Sequence, residues 1–261
     1  SGMGKAIDHK LIQDGYQVYV AARHVDKMSD LVSLGAQPLR MDISVHEEIV
    51  AGINSILTPT GGVDVLVNNA GFGLYGPVEE MGIDEGRYQF EVNLFGAARI
   101  TQLLLPAMRA KRSGHIINVT SMGGKIYSLL GAWYHATKHA LEGWSDCLRL
   151  EVAGFGIKVI IIEPGVIETE FGEVARNSII RRSANGPYGS LVNKVDMSIK
   201  NTYGQGKGSS PELIANVVSR AVSRRRPRTR YAAGRFAKML ISMRVWLGDR
   251  IFDRIILSQT R

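Results

Sequence analysis

Apolar and polar positions follow two periods along the first two-thirds of the chain. Short, β-branched and nearly continuous apolar runs take turns with stretches in which apolar residues recur every three to four positions. Runs of the first kind cover residues 16–22, 37–41, 64–67, 115–120 and 158–163 and predict strands buried on both faces. The second kind covers residues 3–13, 45–57, 86–111 and the segment around Tyr134, and predicts helices. Such alternation specifies a parallel sheet with helices on both faces. The chain therefore reads as α/β, a doubly wound parallel sheet in a single domain over residues 1–261.

The alternation stops after Pro164-Gly165. Residues 168–208 are polar, rich in glycine and without a clear period, and are read as an irregular substrate-covering loop region. Order returns at Ser210-Pro211-Glu212, where Ser suits a helix N-cap, Pro the first helical position and Glu the positive end of the dipole. A strand is expected at residues 229–232 and one or two short amphipathic helices from Phe236 onward. Residues 227–261 form a basic, amphipathic C-terminal extension.

Composition narrows the function classes. With 261 residues, 45 % apolar and 21 % charged, the chain can bury a sizeable core. The single cysteine, Cys147, excludes an internal disulfide. No apolar run approaches the roughly 20 residues of a membrane span, and no signal-peptide pattern opens the chain, so the expected location is the cytoplasm. The net charge of +8 belongs to the tail: Arg220 to Arg261 holds twelve Lys and Arg against Asp249 and Asp253, which leaves the rest near −2. Arg224-Arg225-Arg226 comes without a nucleic-acid-binding motif, so no nucleic-acid partner is expected, and no metal site is either.

Tyr134 and Lys138 lie four apart on a predicted helix, hence on one face and one turn apart. A fixed ammonium stabilises a phenolate and draws the phenol toward a working range at neutral pH. Ser121 lies at the end of the strand at 115–120, and in open α/β sheets ligands bind outside the carboxyl ends of strands. Asn68-Asn69-Ala70-Gly71 and Glu163-Pro164-Gly165-Val166-Ile167-Glu168-Thr169 end two more strands. Asn93 sits inside a predicted helix, an unusual place for a short amide. His135 follows Tyr134 and suggests a Ser–His hydrolase through Ser121. Adjacent helical residues point about 100° apart, however, so His135 is expected to face away from the Tyr134 site.

In this order and spacing the residues resemble the short-chain dehydrogenase/reductase superfamily over nearly the whole chain. Within it the Thr-Arg-Tyr-Ala-Ala-Gly-Arg segment and the closing amphipathic stretch resemble the retinol and hydroxysteroid dehydrogenase branch. The resemblance implies a Rossmann-type fold and a tetrad of Asn93, Ser121, Tyr134 and Lys138. Tyr134 would exchange a proton with the substrate oxygen, Ser121 would hydrogen-bond that oxygen, Lys138 would hold the nicotinamide ribose, and Asn93 would support a proton-relaying water chain. Asn69, Ala70 and Gly71 would lie near the ribose, and Pro164, Gly165, Ile167 and Thr169 near the carboxamide. Asp42 and Ile43 would meet the adenine.

The strand at 16–22 ends at Ala22, where an acidic residue would favour NAD, and Arg23 follows with a planar cation suited to a 2′-phosphate. The resemblance therefore implies NADP(H) over NAD(H). Ser1-Gly2-Met3-Gly4 matches only the end of the family's glycine-rich phosphate loop, with Gly2, Met3 and Gly4 as its cofactor contacts. The expected first strand and first glycine are absent from this sequence, and a preceding segment is expected to supply them. The implied reaction is NADP(H)-dependent interconversion of an alcohol and a ketone or aldehyde on a small lipophilic molecule, by a homodimer or homotetramer. A non-catalytic NADP(H)-binding sensor is the alternative. In the tail, Met239, Leu240, Met243, Trp246, Leu247, Ile251, Phe252 and Ile255 fall near helical spacing with Lys238, Arg244, Arg250 and Arg254 between them. That pattern suits either peripheral contact with a membrane surface or packing over the cleft or a second subunit.

Overall fold

The computed structural model describes residues 2–204 and 206–258. Six strands, β1 (Tyr19–Ala22), β2 (Gln37–Arg40), β3 (Val65–Asn68), β4 (Gly114–Val119), β5 (Ile157–Pro164) and β6 (Arg230–Ala233), all pair in parallel. They form two sheets, β1-β2 and β3-β4-β5-β6. Between β1 and β3 lies a cavity of about 660 Å3 lined by Val18 to Ala22, by Val63 to Asn68 and by Ile7, Leu11, Ile53 and Ile100. The facing edges of β1 and β3 are not joined by a backbone ladder.

Helices cover both faces. Helix α1 (Gly2–Gln13) and helix α9 (Pro211–Ser223) pack side by side on one face, where Ile7, Leu11, Ile214 and Val218 meet Ile117, Val119, Ile160 and Ile162. On the other face lie α3 (His46–Thr60), α5 (Gly96–Lys111) and α6 (Ala132–Val152), with Met108, Leu148 and Val152 on Ile116 and Val159. Alternate residues of β4 and β5 thus serve opposite faces, as the period of two in a strand requires. A short helix, α2 (Ser29–Ser33), connects β1 to β2. Ser210 does occupy the N-cap of α9 with Pro211 in its first turn, although its side chain makes no capping bond.

Two elements differ from the sequence expectations. The helix at 86–111 is longer and interrupted: α4 (Ile83–Phe90) runs into α5 through a π-helical turn, Glu91–Phe95, that contains Asn93. The wider turn lets the short amide leave the helical ladder and bond outside it, as π-bulges at functional sites often do. Residues 168–208 are largely helical, forming α7 (Phe171–Ser183) and α8 (Gly189–Tyr203). Their buried positions mix apolar Ala175, Ile179, Val192 and Val195 with Gly172, Ser183, Gly189 and Asp196, which interrupts the apolar period. At Gly172 a Cβ would stand 2.6 Å from Tyr203 Cβ, so glycine permits close approach of the two helices. Buried Asp196 of α8 ties them further through Arg176 of α7 at 2.6 Å, and pairs within its own helix with Lys200 at 2.7 Å.

The C-terminal stretch is α10 (Ala237–Ser258), broken at Gly248 by a positive φ of 70°. Its inner face buries Phe252 and Ile256 against Ile126, Tyr127 and Leu129. Among the described residues no helix is long and apolar enough to cross a membrane.

Candidate active site at the strand ends

The carboxyl ends of β3, β4 and β5 are fixed by buried polar side chains. Asn68 Nδ2 donates to Asn118 Oδ1 at 2.9 Å and to Thr101 Oγ1 at 3.2 Å, and Asn118 Nδ2 donates to Ser145 Oγ at 2.8 Å. This chain joins β3, β4, α5 and α6. Buried groups need such partners, and a satisfied network gives the strand ends one arrangement.

Ser121, just past β4, is in extended backbone and its Oγ accepts the Gly123 N–H at 3.0 Å. Tyr134, in the first turn of α6, is buried, with the rings of Phe171 at 5.2 Å, His135 at 5.5 Å and Tyr75 at 5.6 Å. Burial pushes its phenol up to about 12, and a hydrogen bond with Ser121 works against that rise. One turn on, Lys138 Nζ donates to the Val119 carbonyl at 3.0 Å. Burial pulls its ammonium down to about 8, against the opposing charge of Glu142. Asn93 uses its whole amide: Nδ2 donates to the Phe72 carbonyl at 2.9 Å and to Thr137 Oγ1 at 3.0 Å, and Oδ1 accepts the Phe72 N–H at 3.0 Å. A Cβ on Gly71 would stand 3.1 Å from Asn93 Oδ1 and 3.4 Å from Lys138 Nζ. The structure therefore gathers Ser121 with Tyr134, and Asn93 and Lys138 around Gly71.

His135 corrects its sequence expectation. It does not face away but lines the same cavity as Ser121 and Tyr134. Its nitrogens are engaged elsewhere, Nδ1 with the Gly123 carbonyl and Nε2 with Ser128 Oγ, both at 2.9 Å. Burial drives its pKa down to about 4 despite the Gly123 bond, so the ring is neutral and fastens the loop after Ser121 onto α6. It is not hydrogen-bonded to Ser121.

The other predicted positions fall into two groups. Gly2, Gly4, Asn69 and Thr169 converge: a Cβ on Gly2 would lie 3.1 Å from Thr169 Cγ2, and one on Gly4 would lie 2.6 Å from Asn69 Nδ2. Met3 packs toward the core, and Ala70 and Asn69 line the cavity beside β3. Pro164 ends β5 opposite Ala233, the Gly165 N–H donates to the Ala233 carbonyl at 2.8 Å, and Ile167 bridges to Ser209. At the far ends of β1 and β2, Arg23 is exposed beside Asp42 and Ile43 packs by Gly96. Burial opposes it, but the Ser44 N–H and hydroxyl and the Arg23 charge hold the Asp42 carboxyl below its usual range.

These residues fit a dinucleotide. The first turn of α1 carries no acidic side chain to repel a phosphate, and its glycines leave the backbone open to close approach. Asn69, whose Nδ2 lies beside Gly4, has a buried Oδ1 without a partner, an acceptor suited to a ligand donor.

Sequence reasoning missed an acidic residue on the face of α6 that carries Lys138. Buried Glu142 accepts from Thr120 Oγ1 at 2.6 Å and pairs with Lys125 at 2.9 Å and Arg230 at 3.1 Å. Arg230 also binds Asp146 and stands 3.5 Å from Glu163. Lys138 and Glu142 thus hold consecutive residues, Val119 and Thr120, ahead of Ser121. An acid four positions after Lys138 shares its face of α6, but its burial depends on Thr120 and Arg230 from across the fold.

Above Ser121 and Tyr134 an apolar cavity of about 500 Å3 is walled by Ala175 of α7, Val195 and Ile199 of α8, and Met239, Leu240, Met243 and Ile256 of α10.

Residues 1–179 match the model of the short chain dehydrogenase family. The chain is 32 % identical to oxidoreductase BOA17 of Botryotinia fuckeliana, over 89 % of this chain and 85 % of that protein. It is 31 % identical to a 3-ketodihydrosphingosine reductase of Bacteroides thetaiotaomicron, over 97 % and 92 %. Among solved structures, a short-chain dehydrogenase from Streptomyces avermitilis superposes with a TM-score of 0.83 at 33 % identity, over 94 % of this chain and 89 % of that one. The closed form of a serine dehydrogenase complexed with NADP+ gives 0.77 at 25 % identity, over 90 % and 91 %. With an α/β fold, a parallel sheet and these relatives, the chain belongs to the short-chain dehydrogenase/reductase superfamily and is an oxidoreductase of that family.

Proposed function

We propose that the protein interconverts an alcohol and a ketone or aldehyde on a lipophilic molecule, with NADP(H) as its cofactor. The observation that carries this reading is the placement of Ser121 and Tyr134 on the floor of the apolar cavity, with Lys138 one helical turn on from Tyr134 and next to Gly71. NADP(H), when bound, supplies or accepts the hydride. Gly2, Met3 and Gly4 at the start of α1 would hold its phosphates and Arg23 the 2′-phosphate, with Asp42 and Ile43 at the adenine. Asn69, Ala70, Gly71 and Lys138 would hold the ribose, and Pro164, Gly165, Ile167 and Thr169 the carboxamide.

In reduction, Tyr134 delivers its proton to the carbonyl oxygen and Ser121 donates a second hydrogen bond to it. In oxidation, Tyr134 takes the alcohol proton. A phenol raised to about 12 is fully protonated at neutral pH, the state that reduction requires. Lys138, one helical turn on, would stabilise the phenolate left behind. Burial and not that charge governs the phenol here, opposite to the lowering expected from the sequence. Asn93 holds the Phe72 backbone and Thr137, and so keeps the neighbourhood of Lys138 and Gly71 in register.

Two comparisons support the finer points. The Bacteroides relative is named for reducing a keto compound, and the serine dehydrogenase neighbour is complexed with NADP+. Exposed Phe95 and Leu150, beside α5 and on α6, offer apolar surface for the homodimer or homotetramer typical of the family. The test follows absorbance at 340 nm with NADPH and with NADH against ketones and aldehydes of increasing chain length. Faster oxidation of NADPH, with KM falling as the chain lengthens, is the expected result. Preference for NADH, or for short polar carbonyls, would overturn the cofactor or the substrate part.

A further inference from the structure

Helix α10 closes the apolar cavity with one face and leaves the other open. Its inner face is firmly seated: Phe252 meets the Tyr127 ring edge-on at 5.2 Å, the Tyr127 hydroxyl donates to Asp253 at 2.7 Å, and the Arg244 guanidinium lies 5.2 Å over the same ring. The outward direction of the remaining side chains is therefore fixed by packing. Those side chains include Trp246, 83 % exposed, Val245, 67 %, and Met239, 51 %, together with exposed Leu247 and Ile251. Gly248 breaks the helix directly after Val245-Trp246-Leu247 and sets these three at the bend.

Asp249 pairs with Arg244 and Asp253 accepts from Tyr127, so the charges left over around this patch have one sign. Lys238, Arg250 and Arg254 are exposed and have no carboxylate partner among the described residues. Arg250 and Arg254 are one turn apart, on the side away from buried Phe252 and Ile256. Met239 belongs both to the exposed patch and to the cavity wall, so the cavity mouth opens at the patch.

We propose that α10 is a docking surface for anionic lipid. Trp246 and Val245 would enter the headgroup boundary, and Lys238, Arg250 and Arg254 would face lipid phosphates. The cavity mouth at Met239 would open toward the lipid, a point that rests on reading the cavity as the substrate site. A tryptophan beside aliphatic side chains, with cations flanking, is the chemistry of an interfacial helix. A second copy of this chain is a poorer occupant, because a two-fold contact would bring the same cationic rim against itself.

The test is co-sedimentation with vesicles of phosphatidylcholine alone and of phosphatidylcholine mixed with phosphatidylglycerol, which requires no turnover. The expected result is binding only to the anionic vesicles, weakening as salt rises, with a blue shift of tryptophan emission. Trp246→Ser should remove that shift, and Arg250→Glu with Arg254→Glu should cut anionic binding about tenfold or more. All three side chains are exposed, so an unchanged melting temperature certifies the fold of each variant. Equal binding to both vesicle types, or binding indifferent to these substitutions, would overturn the proposal. So would a dimer in solution that Trp246→Ser dissociates, which would assign the face to a second copy. Loss of carbonyl reduction with lipid binding intact would instead count against the proposed function alone.

Discussion

The ends of β3, β4 and β5 and the helical cover above them face each other across one cavity and are built in opposite ways. At the strand ends nearly every polar atom is buried and bonded: Asn68, Asn118 and Ser145 in one chain, Thr120, Glu142 and Arg230 in another, Asn93 between Phe72 and Thr137. The cover of α7, α8 and α10 meets the cavity with small and flexible apolar side chains, among them Ala175, Val195, Met239 and Met243. A hydrogen-bonded framework admits one arrangement, whereas an apolar wall accepts many shapes of comparable volume. The lower half therefore fixes the chemistry, and the upper half decides which molecule meets it.

Substitutions can break that division. The largest effect is expected at Glu142→Gln, which removes the buried carboxylate shared by Lys125 and Arg230, leaving Lys125 without it and Arg230 with Asp146 and Glu163 alone. Removing one partner of a buried pair costs about 3–5 kcal/mol, read as a fall in the urea midpoint. Turnover should fall less than stability, because the glutamine amide oxygen can still accept from Thr120 Oγ1 beside Ser121. Unchanged stability would mean that the strand ends are not held as described.

Ser121→Ala comes next. Removing one donor from a developing oxyanion costs about 100- to 1000-fold in kcat. Cofactor affinity, measured by NADPH fluorescence, should stay within about twofold, since each tenfold is 1.4 kcal/mol and Ser121 is assigned no cofactor contact. On the other side of the cavity, Ala175→Phe should raise KM for long-chain carbonyls about tenfold while leaving short ones and kcat near their original values, a loss of the order a crowded apolar pocket imposes. An equal loss for all substrates would show that the cover also shapes the chemistry.

The smallest effect concerns pH. Burial and the neighbouring Glu142 charge raise the Glu163 carboxyl to about 7, against the pull of Lys125 and Arg230. The folded state then binds more protons at this site than the unfolded one between the ordinary carboxylate pKa, about 4.3, and 7, so its contribution to stability falls as pH rises through that window. His135, depressed to about 4, acts in the opposite sense as pH rises toward 6.5. The difference between the melting curves of the parent and Glu163→Gln isolates the first term. The variant should gain on the parent from pH 5 to pH 7, and a flat difference would contradict the raised carboxyl.

The same contrast explains what could be read from the sequence. Asn93, Ser121, Tyr134 and Lys138 are legible through their combined order and spacing with the Asn-Asn-Ala-Gly and Pro-Gly strand ends, since each alone also reads as an ordinary polar side chain. Glu142 was hidden because an acid on a helix reads as solvated until its neighbours across the fold, Thr120 and Arg230, are known. Helices α7 and α8 were illegible for another reason. They bury Gly172, Ser183 and Asp196 among Ile179, Val192 and Val195, which interrupts the apolar stripe, and the pairing of Asp196 with Arg176 of the other helix is a tertiary fact. The misplaced direction of His135 has the same origin: a loop that folds back over α6 brings Gly123 and Ser128 to it.

The most direct test is Tyr134→Phe, assayed for NADPH binding and NADPH-dependent carbonyl reduction on one preparation. The substitution keeps the ring that packs against Phe171 and Tyr75 and removes only the proton donor. Undiminished NADPH binding, with turnover reduced by at least about 100-fold, is the predicted outcome. Turnover within a few-fold of the parent would contradict Tyr134 as the group that exchanges the proton.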